Sequence, residues 1–307
     1  MAFSLDPDKP LDAAFRKVAV SQLEDAIKAL KKQPRGLDEA IHDARKKFKR
    51  VRGLLRLIRP AAKDFSREEN ARIRDMAADL SDGRDATALI ECAAYLRGLA
   101  DDGRRDMALS RLETALRERR DSAAVSDAAL KKKAKEAIHA CRDAIAAIEE
   151  AAFHEDRSAA AKCIGKAWKK QLANAQVALM TVQADGADGD FHELRKKTQT
   201  YWMFCALLSP AWPSALKAKR NDAKALADLL GHEHDLSMLL QLLDGPDAPG
   251  LDVGTLATCR EAALETRAQL RRRAIKSARK TFGDEPDVEA RIIRTLWKNR
   301  AHAHDGE

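Results

Sequence analysis

Apolar and polar positions recur with helical period along almost the whole chain. Over residues 11–32 the apolar stripe is Leu11, Phe15, Val18, Leu23, Ile27 and Leu30. Pro34-Arg-Gly36 breaks it, and Asp38 is placed to cap a second helix that Pro60 closes. Ser66 with Glu69 reads as a capping box opening a third helix to Leu80. Asp82-Gly83 predicts a turn before a helix from Asp85 to Leu99, and Asp102-Gly103 another before a helix over 104–120. A long Ala-rich helix is predicted over 126–152, and a basic one over 252–282 after the Gly/Pro turn Asp244–Gly250. A short final helix carries Trp297. No period-2 run appears, so the predicted fold is all-α.

The second helix has two opposed faces. At about 100° per residue, His42, Arg45, Lys46, Lys49, Arg52, Arg56 and Arg59 share an arc of about 140°. Ile41, Ala44, Phe48, Val51, Leu54, Leu55 and Ile58 occupy the opposite side. Asp43, the acid of this stretch, projects away from the cationic arc. A shift of 150 positions carries His42-x-x-Arg45-Lys46-Lys47 onto His192-x-x-Arg195-Lys196-Lys197. The same shift carries Leu57, Pro60 and Ala61 onto Leu207, Pro210 and Ala211, and Asp85 onto Asp235. Eleven of the fifty positions from 41 to 90 are identical to their counterparts in 191–240. We read this as an internal duplication, with repeats over about 9–152 and 156–300 of a single domain. Two pseudo-two-fold-related antiparallel helical bundles follow, with the basic helices facing each other across a central groove. Residues 301–307 are expected to form a disordered tail.

Composition sharpens this picture. The 307 residues carry a formal charge of +8 and are 34% charged, which favours acidic partners. Aromatic residues make up 5%, too few for a base-stacking platform along single strands. Five scattered cysteines without a CxxC pair suit a reducing compartment and a helical core. The N-terminus lacks the basic and apolar regions of a secretion signal, and no run approaches a membrane span, so a cytoplasmic protein is expected.

Three motifs, in this order and spacing, resemble the CHAD domain, an α-helical domain named for its histidines. They are the H-x-x-R-K-K-x-x-K-x-x-R run from His42, Phe191-His-Glu-Leu-Arg-Lys-Lys197, and Leu230-Gly-x-x-His-Asp-Leu236. Trp168-Lys-Lys170 belongs to the same resemblance, and Leu80-Ser-Asp-Gly-Arg-Asp-Ala86 is similar to a first-half copy of the third motif. The family implies two bundles around a basic cavity, binding of inorganic polyphosphate, and association with polyphosphate granules. The chain departs from the pattern at Gln199, Trp202, Ala206 and Ser209, where cations are expected or stand in the first copy. The first copy is therefore read as supplying more of the charge.

The candidate polyphosphate-binding residues are His42, Arg45, Lys46, Lys49, Arg52 and Arg56 of the first copy and His192, Arg195 and Lys196 of the second. Arg16 and its counterpart Lys166, with Lys169 and Lys170, extend the set. Polyphosphate has no bases to read, so cations one helical turn apart, about 5.4 Å, would each meet a successive phosphate region. Asp85 and Asp235 are assigned structural roles beside the histidines. His232-x-His234 and His302-x-His304 lack the partners of a metal set, and no phosphate-loop or Rossmann motif occurs, so neither metal nor cofactor is expected. Arg271-Arg-Arg273 with Lys276, Arg279 and Lys280 either extends the anion surface or solubilises its helix. The leading reading is a non-enzymatic polyphosphate-binding module. The alternatives are a nucleic-acid-binding protein and, behind it, a phosphoanhydride-processing enzyme using Asp85 or Asp235.

Overall fold

The apolar stripes become the surfaces on which helices meet in a computed structural model, which describes residues 3–80, 84–122, 127–153 and 156–300. The side chains of Arg84, Asp85, Asp127 and Arg300 fall outside that description. In chain order the helices are α1 (Leu11–Lys32), α2 (Leu37–Ile58), α3 (Lys63–Asp79), α4 (Arg84–Arg97), α5 (Gly103–Ser122) and α6 (Asp127–Glu150). There follow α7 (Arg157–Ala184), α8 (Asp188–Leu207), α9 (Pro213–Leu243), α10 (Val253–Thr281) and α11 (Pro286–Arg300). Among the described residues there is no strand beyond one isolated bridge, and no helix is long and apolar enough to cross a membrane. The fold is all-α. The expected tail at 301–307 and the Asp82-Gly83 turn lie outside the described residues.

Helices α1, α2, α3 and α6 pack into one bundle, and α7 to α11 pack around α8 and α9. Phe48, Val51, Leu54, Leu55 and Ile58 of α2 are fully buried, each side chain contributing about 1.5–3 kcal/mol by leaving water. The two groups meet where α2 touches α7 and α8. A second, smaller core is built differently. Leu109, Leu112 and Leu116 of α5 and Ala93 and Leu96 of α4 pack with Leu236, Leu239 and Leu240 of α9 and Cys259 and Ala263 of α10. The hairpin α4–α5 thus leaves its neighbours in sequence and packs on the far half of the chain. All five cysteines are free and buried, as small core side chains.

Two cap assignments are corrected. The cap of α2 is Gly36 (φ 90°), not Asp38, which sits in the first turn where its charge favours the helix N-terminus. Helix α3 begins at Lys63, a turn before the expected Ser66. There Ser66 is fully inside: its hydroxyl donates to the Leu55 carbonyl (2.7 Å), tying α3 to α2. Glu69 pairs instead with Arg72 (3.2 Å), and burial raises its carboxyl pKa.

Candidate functional site

The site is organised by the contact of α2 with α8. A Cβ on Gly53 would lie 2.7 Å from Sδ of Met203, so glycine lets the helices approach without displacing that side chain. A few residues further along α2, Arg56 Nη1 donates to Thr200 Oγ1 (3.3 Å). Cationic side chains of α2 therefore fall on either side of the contact and enter two different cavities.

The first cavity, of about 620 Å³, takes Arg56 and Arg59 from the end of α2. To these it adds Lys63, Arg67 and Arg74 around α3, Lys166 and Lys170 of α7, and Lys196 and Lys197 of α8. No carboxylate lines it; Asn70, Gln171, Asn174 and Thr200 supply neutral polar groups. Burial, reinforced by Arg52, lowers the Arg56 pKa to about 10, so it stays charged at neutral pH in a position that an anion would relieve.

The second cavity, of about 370 Å³, lies on the other side of the contact. Lys46, Lys49 and Arg50 of α2 face Arg195, Gln199 and Trp202 of α8 and Lys224, Asp228 and Asp235 of α9. Lys46 and Arg50 also border a third hollow of about 460 Å³ with Lys28, Lys32 and Lys47. At the Arg195 end, the imidazoles of His192 and His234 lie 4.8 Å apart. Burial lowers the Arg195 pKa, an effect opposed by Asp235 and Glu233.

The remaining sequence candidates are distributed as follows. Arg45 Nη1 donates to the Ala77 carbonyl (2.7 Å) and Arg52 Nε to Asn70 (3.1 Å), so both bind α2 to α3. Arg16 donates to the Ala151 carbonyl (2.6 Å) and pairs with Asp12, lining neither cavity. Lys169 pairs with Asp287 of α11 (2.6 Å). Asp43 does reach the cationic face, meeting Lys46 at 3.3 Å. His42 is half-buried on α2. Asp235 lines the second cavity; the Asp85 side chain lies outside the described residues. Arg271 is not surface charge: it donates to Glu233 (2.8 Å), Asp188 (2.5 Å) and the Gly186 carbonyl (3.0 Å), over the ring of Phe191. Among the described residues no group of three or more acids, histidines or cysteines is placed to hold a metal.

Sequence reasoning missed Lys63, Arg67 and Arg74. They stand at helical spacing with Asn70, a usable signal, but the adjoining acids Asp64, Glu68, Glu69 and Asp75 disguise it. Lys197 and Lys224 were also missed.

The chain belongs to the CHAD domain family, whose model matches residues 18–244. Among solved structures it is similar to PptA from Streptomyces chartreusis, with a TM-score of 0.59 and 17% identity over 89% of this chain and 100% of that one. At that identity the likeness concerns the fold. No curated protein matches the chain significantly.

Proposed function

We propose that the protein binds inorganic polyphosphate, with the carboxylate-free cavity between α2, α3, α7 and α8 as its principal site. The observation that carries this reading is nine cations around one hollow of about 620 Å³ with no lining acid. Arg67, Arg74, Lys196 and Lys197 pair with carboxylates outside the lining. The remaining excess of positive charge is relieved by a polyanion, and the neutral amides and hydroxyls add donors to phosphate oxygens. Arg56 is oriented by Thr200, whereas Lys166 and Lys170 are exposed and can follow a flexible chain. Lys196, also exposed, pairs with Glu193 of its own helix, a surface pair that a polyanion can replace. The second cavity extends the site through Lys49 and Arg195. Arg16 and Lys169, already engaged elsewhere, fall outside the set proposed for phosphate contact. We place the protein's action in binding rather than catalysis, with polyphosphate granules as its location.

The test is binding of long-chain polyphosphate to wild type and to a Lys166→Ala, Lys170→Ala, Lys196→Ala variant. All three lysines are exposed, so helicity should be unchanged. Affinity is expected to fall by about tenfold or more, with a shallower dependence of log affinity on log salt, by analogy with counterion release from nucleic acids. Equal affinity and slope would remove this cavity from the reading. Duplex DNA displacing polyphosphate at equal phosphate concentration would favour a nucleic-acid partner instead.

A further inference from the structure

Helix α8 brings two buried, unanswered nitrogens to one face. His192 Nδ1 and Arg195 Nε, three residues apart, both lack a hydrogen-bond partner. Such atoms inside a protein cost about 1–3 kcal/mol each, and here both are nitrogens rather than oxygens, the complement of an anionic oxygen. Beside them the ring of His234 lies 4.8 Å from that of His192. Their charged surroundings come from three helices. Glu193, Arg195 and Lys196 are on α8, Glu233 and Asp235 on α9, and Lys49 on α2. Each carboxylate is set against a cation: Glu193 against Lys196 and Lys197, Glu233 against Arg271, and Asp235 against Arg195. Lys49 and Arg195, whose charges act on His234, also line the second cavity, while the two imidazoles lie behind its lining. An anion held by Lys49 and Arg195 therefore changes the charge that the pair feels.

We propose that His192, His234 and Arg195 form a proton-linked phosphate subsite, at which an entering phosphate group is bound together with a proton taken from solvent onto the imidazole pair. In the empty site burial and the flanking cations hold both imidazoles neutral, His234 with a pKa of about 4. An anion held beside Lys49 and Arg195 offsets that field, which favours the protonated form of the imidazole pair and converts the unpartnered His192 Nδ1 into a donor. The balance is one phosphate bound and up to one proton gained; no bond in the phosphate chain is made or broken. The inference rests on the polyphosphate reading and adds proton uptake to it.

Calorimetric titration of long-chain polyphosphate into the full chain near pH 6, in two buffers of different ionisation enthalpy, reads the proton directly. Wild type is expected to take up a substantial fraction of a proton per site, with affinity falling by up to about tenfold per pH unit as pH rises through the window. A His192→Asn, His234→Asn variant keeps every cation and is expected to lose the uptake. Tight binding with no uptake, or equal uptake by the variant, would overturn the proposal while leaving polyphosphate binding intact. No binding at all would overturn the polyphosphate reading itself. Should the variant fail to fold, the imidazole Cε1–H resonances of wild type decide. Their titration must move to higher pH when polyphosphate is added, and unmoved midpoints would sink the proposal.

Discussion

Arg271 and His234 show how far a residue's type is from its role. In the sequence Arg271 belongs to a run of three arginines; in the fold it joins Glu233, Asp188 and the Gly186 carbonyl while stacking on Phe191. Those partners lie 38 to 85 positions away, so no local pattern distinguishes Arg271 from its neighbours. His234 stands in the sequence as the histidine of the Leu230–Leu236 motif and as half of a weak metal pair, and its juxtaposition with His192 depends on how α8 meets α9. A consequence for stability follows. Burial first, then Arg195, His192 and Lys49, push the His234 pKa down to about 4 from the ordinary 6.5. Between those values the unfolded chain binds more protons, so stability rises with pH there. It is lost as pH falls from above 6.5 toward 4, by an amount on the order of 2 kcal/mol. Denaturant unfolding at several pH values should show that loss. A His234→Gln variant should show a flatter profile between pH 4 and 6.5, and an unchanged profile would contradict this account.

At the scale of elements, the helices were legible because each carries an apolar stripe of period 3.6, as Phe48, Val51 and Leu55 illustrate on α2. Helix starts were less legible. Ser66 and Glu69 carry the signature of a cap yet serve the interior of α3, where the Ser66 hydroxyl meets the Leu55 carbonyl. The cationic wall on α3 was hidden because exposed acids share that helix with Lys63, Arg67 and Arg74. That the two basic helices face each other follows from the duplication, but the close contact at Gly53 was illegible, since a glycine inside a helix shows its purpose only once Met203 is opposite. Gly53→Ala gains about 1 kcal/mol of helix propensity. It also forces atoms together at 2.7 Å from Sδ and 3.2 Å from Cβ of Met203, and overpacking of this kind costs about 1–3 kcal/mol. A net loss of about 1 kcal/mol is expected in thermal unfolding. Met203→Ala in the same chain should recover it, and additive losses in the double variant would refute the steric explanation.

For the whole molecule, composition and periodicity sufficed for the all-α class, and the motif order sufficed for the family. The route of the chain did not follow from either. Leu109 and Leu112 read as an ordinary stripe, with nothing to say that their partners are Leu236 and Leu239, more than a hundred residues later. That smaller core stitches α4 and α5 to α9 and α10, so the chain should unfold as one unit. Leu112, fully buried there, can test this. Leu112→Ala should cost about 2–5 kcal/mol while circular dichroism and tryptophan fluorescence still report a single coincident transition. Two separated transitions would mean that the smaller core is an independent unit.

The same placement bears on how the chain is born. At about 5–20 residues per second, on the order of ten seconds pass between emergence of α5 from the ribosome and synthesis of the second half of α9. Throughout that interval Leu109, Leu112 and Leu116 have no α9 or α10 to cover them. The α4–α5 hairpin thus has to wait with its apolar face uncovered until Leu236–Leu240 are made.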